Sequence, residues 1–432
     1  MAWYIELLIV AVSILALLAI RMPLGFVFGV VGTAGIIIYS GLHSCVVIAQ
    51  ELHDMLSDFV LITIPLFVLM AELLSSGGFI SDLYDSVEKL TGRLRGSLCI
   101  ATIIASAIFA AVCGSSYVTA ASLGSMTLPE MLKHGYSKKL ASGSVAAGGS
   151  LGILIPPSLA FVIYGYMSGA SIAALFIAGI IPGLLLASLF ILNILILSRL
   201  FPSVADVYAQ MGWEAKLKST SKILPVVILA ILVLASIYVG IATPAEAAAI
   251  GSILSLVLCS IYKKLSWDML LRSLRNTIAV SGFLLLLMCT AKILGFMMAK
   301  VGIMYGLQSS LVKLPPWLFI LIVYLTIAVL GLFLEGTSII VLTTPIFAPA
   351  VQAMGFSLIW YGVILVLFIE IALLSPPVGM NCYIVAEIGK SLQIGVEDVF
   401  KGVIPFLIAL VVCVVLITLI PRLALWLPST MG

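Results

Sequence analysis

Two stretches of this sequence bring hydroxyls, glycines and a double proline together in a way that suits a small cation. In the first half, Gly114-Ser115-Ser116-Tyr117-Val118-Thr119 precedes Gly148-Gly149-Ser150-Leu151-Gly152-Ile153-Leu154-Ile155-Pro156-Pro157-Ser158. In the second, Leu334-Glu335-Gly336-Thr337-Ser338 and Thr343-Thr344 precede Ser375-Pro376-Pro377-Val378-Gly379-Met380-Asn381. Hydroxyl and carbonyl dipoles replace the hydration shell of a monovalent cation without adding charge. Proline lacks the helical donor and clashes with the preceding turn, so each Pro-Pro pair interrupts a helix and frees carbonyls. The new helix ends turn N–H groups toward the same place, where their partial positive charge favours an anion such as a carboxylate. A cation held beside those ends strengthens that attraction and couples the two ligands.

The candidate cation ligands are Gly114, Ser115, Ser116, Gly152, Gly336, Thr337, Ser338, Pro377 and Gly379. The candidate contacts to an acid are Ser116, Thr119, Pro156, Pro157, Ser158 and Asn381. Glu335 stands beside a predicted turn and either supports a cation or stabilises the turn. For any one hydroxyl the competing role is a bond back to the carbonyl four residues earlier. Glu246, after Thr243-Pro244, reads as a helix-start carboxylate. Glu370 lies inside an apolar span, where an acid is costly and usually functional; it faces a scaffold partner or transduces protons. Lys292 and Lys300 are expected to snorkel to the outer surface.

The elements that position these residues cross a membrane. Of 432 residues, 63% are hydrophobic and 9% charged, against roughly a quarter charged in a soluble domain. Leu7 to Ile20, Ala173 to Leu197, Ile223 to Ala242 and Gly402 to Ile420 approach or reach the length of a bilayer crossing. The short alternating strands of a membrane barrel are missing from the pattern. The first apolar run has Glu6 ahead of it and no small-residue cleavage signal, which reads as a retained helix. Seven cysteines lie mostly in apolar runs without ligand spacing, the three histidines are scattered, and a net charge of +3 gives no nucleic-acid signal. Neither a nucleophile–base–acid arrangement nor a phosphate-binding Gly-Lys-Ser/Thr loop is present, so an enzyme is not expected.

Basic residues cluster at Arg21, at Lys89, Arg93 and Arg95, at Lys133, Lys138 and Lys139, from Arg199 to Lys222, from Lys263 to Arg275, and at Lys390 and Lys401. These connections are assigned to the cytoplasm. The expected spans are 4 to 20, 22 to 40, 56 to 76, 140 to 167 and 173 to 198, then 223 to 240, 244 to 262, 276 to 294, 358 to 385 and 402 to 420. The excursions 97 to 130 and 315 to 355 are expected to be re-entrant hairpins, turning at Cys113-Gly114-Ser115-Ser116 and at Leu334-Glu335-Gly336. Gly114 and Gly336 are 222 positions apart and the two mid-span proline pairs 220 apart, which pairs the glycines as equivalents. The fold expected is an all-α polytopic membrane protein of two inverted-topology repeats, each with a re-entrant hairpin and a broken helix, as in many secondary transporters. Residues 1–55 would be scaffold helices and 56–200 the first transport-domain repeat. Residues 201–275 would be an amphipathic connection with scaffold helices, and 276–432 the second repeat. Both proline breaks are expected to be buried.

The hairpin-tip and double-proline segments together resemble those of the large membrane subunit, DctM-like, of the tripartite ATP-independent periplasmic (TRAP) transporters, and the resemblance spans nearly the entire chain. Tyr117 is bulkier than the small residue expected beside that tip. The resemblance implies a sodium-coupled symporter in the bacterial or archaeal cytoplasmic (inner) membrane, working by an elevator movement of a transport domain against a scaffold. It implies sodium as the coupling ion, an organic acid such as a C4-dicarboxylate or sialic acid as substrate, and membrane lipid around the chain. It also implies two protein partners on separate chains, a small four-helix membrane subunit and a periplasmic substrate-binding protein. The alternatives are a stand-alone ion-coupled carboxylate permease, an ion channel and a purely structural subunit.

Overall fold

The computed structural model describes residues 3–91, 94–201 and 213–431, and its long elements are all helices. The chain opens with α1 (Trp3–Ala19) and α2 (Leu24–Ser40), parted at Met22-Pro23, where the proline cannot continue α1. Next come α3 (Cys45–Leu56), α4 (Thr63–Ser76) and α5 (Phe79–Thr91). Neither α3 nor α5 was expected as a helix. In α5, Phe79, Ile80, Leu83, Tyr84 and Val87 are buried at helical spacing while its acids face outward, a pattern too polar to read as a span.

The excursion from 97 is a helical hairpin, α6 (Ser97–Cys113) and α7 (Ser116–Lys133). Its turn needs Gly114, whose φ of +63° lies in the left-handed region. The span from 140 is two helices, α8 (Lys138–Ser150) and α9 (Leu159–Ser168). They are parted by a short 3-10 turn and the Pro156-Pro157 pair, whose peptide bond is cis. Then follow α10 (Ile172–Leu200), α11 (Trp213–Tyr238), α12 (Pro244–Ile261) and α13 (Trp267–Lys300). The connection expected from 201 falls in part outside the described residues, as do Arg93 and the side chains of Lys216, Lys218 and Lys222.

The second half runs through α14 (Ile303–Leu311), the hairpin α15 (Pro316–Gly331) and α16 (Gly336–Ala353), then α17 (Leu358–Leu374), the break at Pro376-Pro377, α18 (Met380–Ile388), α19 (Val396–Leu419) and α20 (Arg422–Leu425). Six described helical stretches are long and apolar enough to cross a bilayer: Phe59–Ser76, Ile172–Leu200, Pro244–Ile261, Trp267–Lys300, Gly336–Ala353 and Val396–Leu419. At 34 residues α13 is about 51 Å long, well beyond a hydrocarbon core of about 30 Å, so its charged first turns reach the interface.

The halves repeat one order of elements. Ser116 and Gly336 each open the returning arm of a hairpin, Lys138 and Leu358 each open a span, and Pro157 and Pro377 each close a break, all 220 residues apart. This corrects the expected equivalence of Gly114 with Gly336. Gly336 matches Ser116, and Glu335 takes the helix-start position that Ser115 holds in the first half. The halves interlock, with α9 packed on α16, α18 on α7 and α8 on α19. The α8–α19 approach is backbone to backbone at Gly143 and Gly402, where a side chain on either would collide with the other helix.

Thr243 and Glu246 form a reciprocal cap at the start of α12, the Thr243 N–H donating to Glu246 Oε2 at 2.8 Å. Lys292 does not extend freely to the surface but pairs with Glu51 of α3 at 3.1 Å. An exposed lysine gains little from such a pair, yet this one is only partly exposed and joins α3 to α13. Lys264, in the turn after α12, pairs with Asp82 of α5 at 2.5 Å.

Candidate functional site

The two hairpin tips meet at one cavity of about 450 Å³. Gly114, Ser115, Ser116 and Tyr117 enter from the first tip and Glu335, Gly336 and Thr337 from the second. The wall between them comes from Val68, Ala71 and Glu72 of α4 and from Val280, Phe283 and Leu284 of α13. Most of the lining is apolar, and its polar groups are concentrated at the tips.

Around the first tip the chain is drawn tight. A methyl group on Gly114 would stand 2.8 Å from the Pro157 carbonyl oxygen and 3.5 Å from the Ser158 Cα, and one on Gly152 would stand 2.6 Å from the Ser115 carbonyl oxygen. Gly114, Ser115, Gly152, Pro157 and Ser158 are therefore one neighbourhood, joined by Ser116, whose hydroxyl donates to the Ser150 carbonyl at 3.3 Å. Thr119 is buried and donates to the Ser115 carbonyl at 2.8 Å, the back-bonding role common for a helical threonine. The Ser158 hydroxyl donates to the Ile153 carbonyl and accepts from the Phe161 N–H, capping α9. Pro156 and Pro157 are buried. This cluster offers neutral oxygens at van der Waals spacing, which fits a monovalent cation better than a divalent one seeking carboxylates.

The second tip is organised by Glu335. Its carboxylate accepts from the Thr337 N–H at 3.1 Å, the Ser338 N–H at 2.8 Å and the Ser338 hydroxyl at 2.7 Å, closing the first turn of α16. Acidic capping of a helix start satisfies donors that have no intrahelical partner and complements the helix dipole. Gly336, Thr337, Ser338 and Glu335 thus stand together, with Ser338 just behind the cavity wall.

Pro377 and Gly379 do not join them. The Pro377 carbonyl accepts from the Tyr383 hydroxyl at 3.1 Å, and Gly379 is packed under the Phe400 ring. Pro376 and Pro377 are exposed, contrary to the expectation that both breaks are buried. The first tip rests on Gly152 before its break and on Pro157 within it, and the second rests on α17 through Gly336 against Ile369 and Gly331 against Ala372. Asn381 is fully buried nearby; its amide donates to the Ala146 carbonyl at 3.4 Å and its Oδ1 has no partner. An orphan carbonyl of this kind is an available cation ligand.

The sequence reading missed Glu72. It lines the cavity while its Oε2 accepts from the Asn276 amide at 3.0 Å across α4 and α13. The signal was present, a carboxylate inside an apolar span. The α13 wall gave no such signal, because Val280, Phe283 and Leu284 are ordinary span residues.

Hairpins and broken helices converging on one cavity, in a chain of long apolar helices, define a multi-pass membrane permease. The chain belongs to the DctM family, whose model, described as the tripartite ATP-independent periplasmic transporter, DctM component, matches residues 11–423. It is a transport protein, not an enzyme. It is 32% identical over 394 residues to the C4-dicarboxylate TRAP transporter large permease protein DctM of Pseudomonas aeruginosa, covering 89% of this chain and 90% of that protein. It is 29% identical over 421 residues to the sialic acid TRAP transporter large permease protein SiaM of Vibrio cholerae, covering 96% of each. The YdaH transporter of Alcanivorax borkumensis shares the fold at 15% identity, with a TM-score of 0.63 over 90% of this chain and 89% of that one.

Proposed function

We propose that this chain is the membrane permease of a sodium-coupled tripartite importer that brings an organic acid across the cytoplasmic membrane. The observation that carries the reading is the meeting of both hairpin tips at one cavity, with neutral oxygens gathered behind the first tip and a capped helix start at the second. Sodium occupies the neutral oxygen clusters, and the carboxylate of the substrate lies toward the N–H groups at the start of α7, which no side chain caps, those of α16 being taken by Glu335. The names of the relatives, a C4-dicarboxylate permease and a sialic acid permease, support an organic acid as substrate. They also support two partners, a small membrane subunit and a periplasmic binding protein that delivers the acid.

The repeated order of elements at a spacing of 220 residues supports two repeats of opposite topology with re-entrant hairpins. In this reading the transport domain contains the hairpins and broken helices and moves as an elevator against a scaffold that includes α1, α2, α11 and α12. Each net positive charge carried inward gains about 2.3 kcal/mol from a potential of 100 mV. Sodium in excess of substrate charge converts that gain into accumulation.

The test is uptake into proteoliposomes containing this chain with both partners. A sodium gradient should drive accumulation of the acid bound by the cognate binding protein, and omission of either partner should abolish it. Equal uptake by the chain alone would replace this reading with a stand-alone permease.

A further inference from the structure

Glu335 of the second tip and Glu72 of α4 line the cavity, and no Lys, Arg or His does so among the described residues. Arg272 and Arg275, on the early turns of α13, are exposed and outside the lining. An organic acid bound in this space therefore meets two carboxylates and no basic side chain. Backbone donors at the tips offer it one seat. Ser116, Tyr117 and Val118 form the first turn of α7 at the cavity, and no side chain caps that turn. The corresponding turn of α16 is filled, because Glu335 accepts from the Thr337 and Ser338 N–H groups there.

The two acids differ in what they leave open. Both Glu335 oxygens are engaged, Oε1 by Ser338 and Oε2 by Thr337 and Tyr117. Glu72 Oε2 accepts from the Asn276 amide at 3.0 Å, whereas its Oε1 takes no donor from the described residues. The half-buried Glu72 thus presents a free acceptor on the α4 wall, away from the tips. A hydroxyl or an ammonium on the ligand completes it. A second carboxylate in the same place finds like charge, no donor and no counter-charge, which is strongly unfavourable in a mostly apolar lining.

We propose that Glu72 is a specificity-determining residue, which selects monocarboxylates carrying a hydrogen-bond donor at the end remote from the carboxylate and rejects dicarboxylates. The carboxylate sits at the start of α7 and the remote hydroxyl or ammonium donates to Glu72. The inference rests on the proposed binding of an organic acid at this cavity and narrows its class. Selection arises both from the contact that Glu72 offers and from the repulsion it adds against the wrong acid.

Calorimetric titration of the permease with its small membrane subunit in lipid bilayers, with sodium and without the binding protein, tests this apart from delivery. The probes are straight-chain acids over a series of lengths, each ending in methyl, hydroxyl, ammonium or carboxylate. At the best length the hydroxyl and ammonium forms should bind at least about tenfold tighter than the dicarboxylate. Equal or tighter binding of the dicarboxylate by the wild-type chain overturns the proposal, a readout that stands even where a variant does not fold. Glu72→Gln keeps an acceptor for the Asn276 amide but removes the charge. It should tighten dicarboxylate binding by about tenfold and weaken the ammonium form, a crossover that a merely structural role would not produce. The same ranking in Glu72→Gln as in wild type would also overturn the proposal. Sodium-dependent binding without any ranking would leave the organic-acid reading in place, whereas no binding of any carboxylate would overturn that reading and this inference with it.

Discussion

The Tyr117 hydroxyl on the first hairpin tip stands 3.5 Å from Glu335 Oε2 on the second, 218 positions further along the chain. It is a direct polar link between the two tips. It lies on the cavity wall, so it joins the neutral oxygen cluster of one half to the capped helix start of the other. A bulky residue beside a tight turn, unexpected from the sequence, is explained by this reach across the cavity.

Removing the hydroxyl tests whether the tips act together. Tyr117→Phe keeps the ring and its packing and deletes the link, which at this distance contributes about 0.5–1 kcal/mol. Initial uptake rates in the reconstituted system should fall by about two- to fivefold at equal protein abundance. An unchanged rate would show that the tips do not communicate through this contact.

Glu335 is assigned first to the start of α16. Glu335→Ala removes the three hydrogen bonds of the cap as well as the Tyr117 link and should destabilise the chain by about 1–2 kcal/mol. Glu335→Asp, a strong capping residue, should restore most of that. Thermal unfolding in detergent separates the two; equal stability of wild type and Glu335→Ala would dismiss the capping role.

The tightness of the first tip gives a steric prediction. In Gly152→Ala the new methyl would lie 2.6 Å from the Ser115 carbonyl oxygen, so the tip must shift and uptake should fall by at least about tenfold. Gly282→Ala, on α13 with nothing within 4 Å of the new methyl, is the control and should transport normally. Similar uptake by both variants would mean that the tip can relax without harm.

Particular residues show how far the sequence carried. The proline pairs, Gly114 and the Thr243–Glu246 cap announced their roles because each depends on local backbone chemistry: a missing donor, a positive φ, a reciprocal hydrogen bond. The helices α3 and α5 were not legible as spans or turns because their polarity hides a single buried face. The mispairing of Gly114 with Gly336 came from matching residue types. Helix starts set the true register, and there the second half uses a glutamate where the first has a serine. The exposure of Pro376 and Pro377 and the place of Glu72 depend on how separate helices rest on one another, and no local pattern encodes that. Nor could local pattern show that Lys292, expected to snorkel, meets Glu51.

The most direct measurement is the sodium dependence of uptake in the double variant Ser116→Ala, Ser338→Ala. Both hydroxyls are buried at the tips and already donate, to the Ser150 carbonyl and to Glu335 respectively, which leaves their lone pairs available to a cation. Uptake of the receptor-delivered acid should require about tenfold more sodium for half-maximal rate, a loss of about 1.4 kcal/mol in cation binding. An unaltered sodium response at normal protein abundance would contradict the placing of the coupling ion at the hairpin tips.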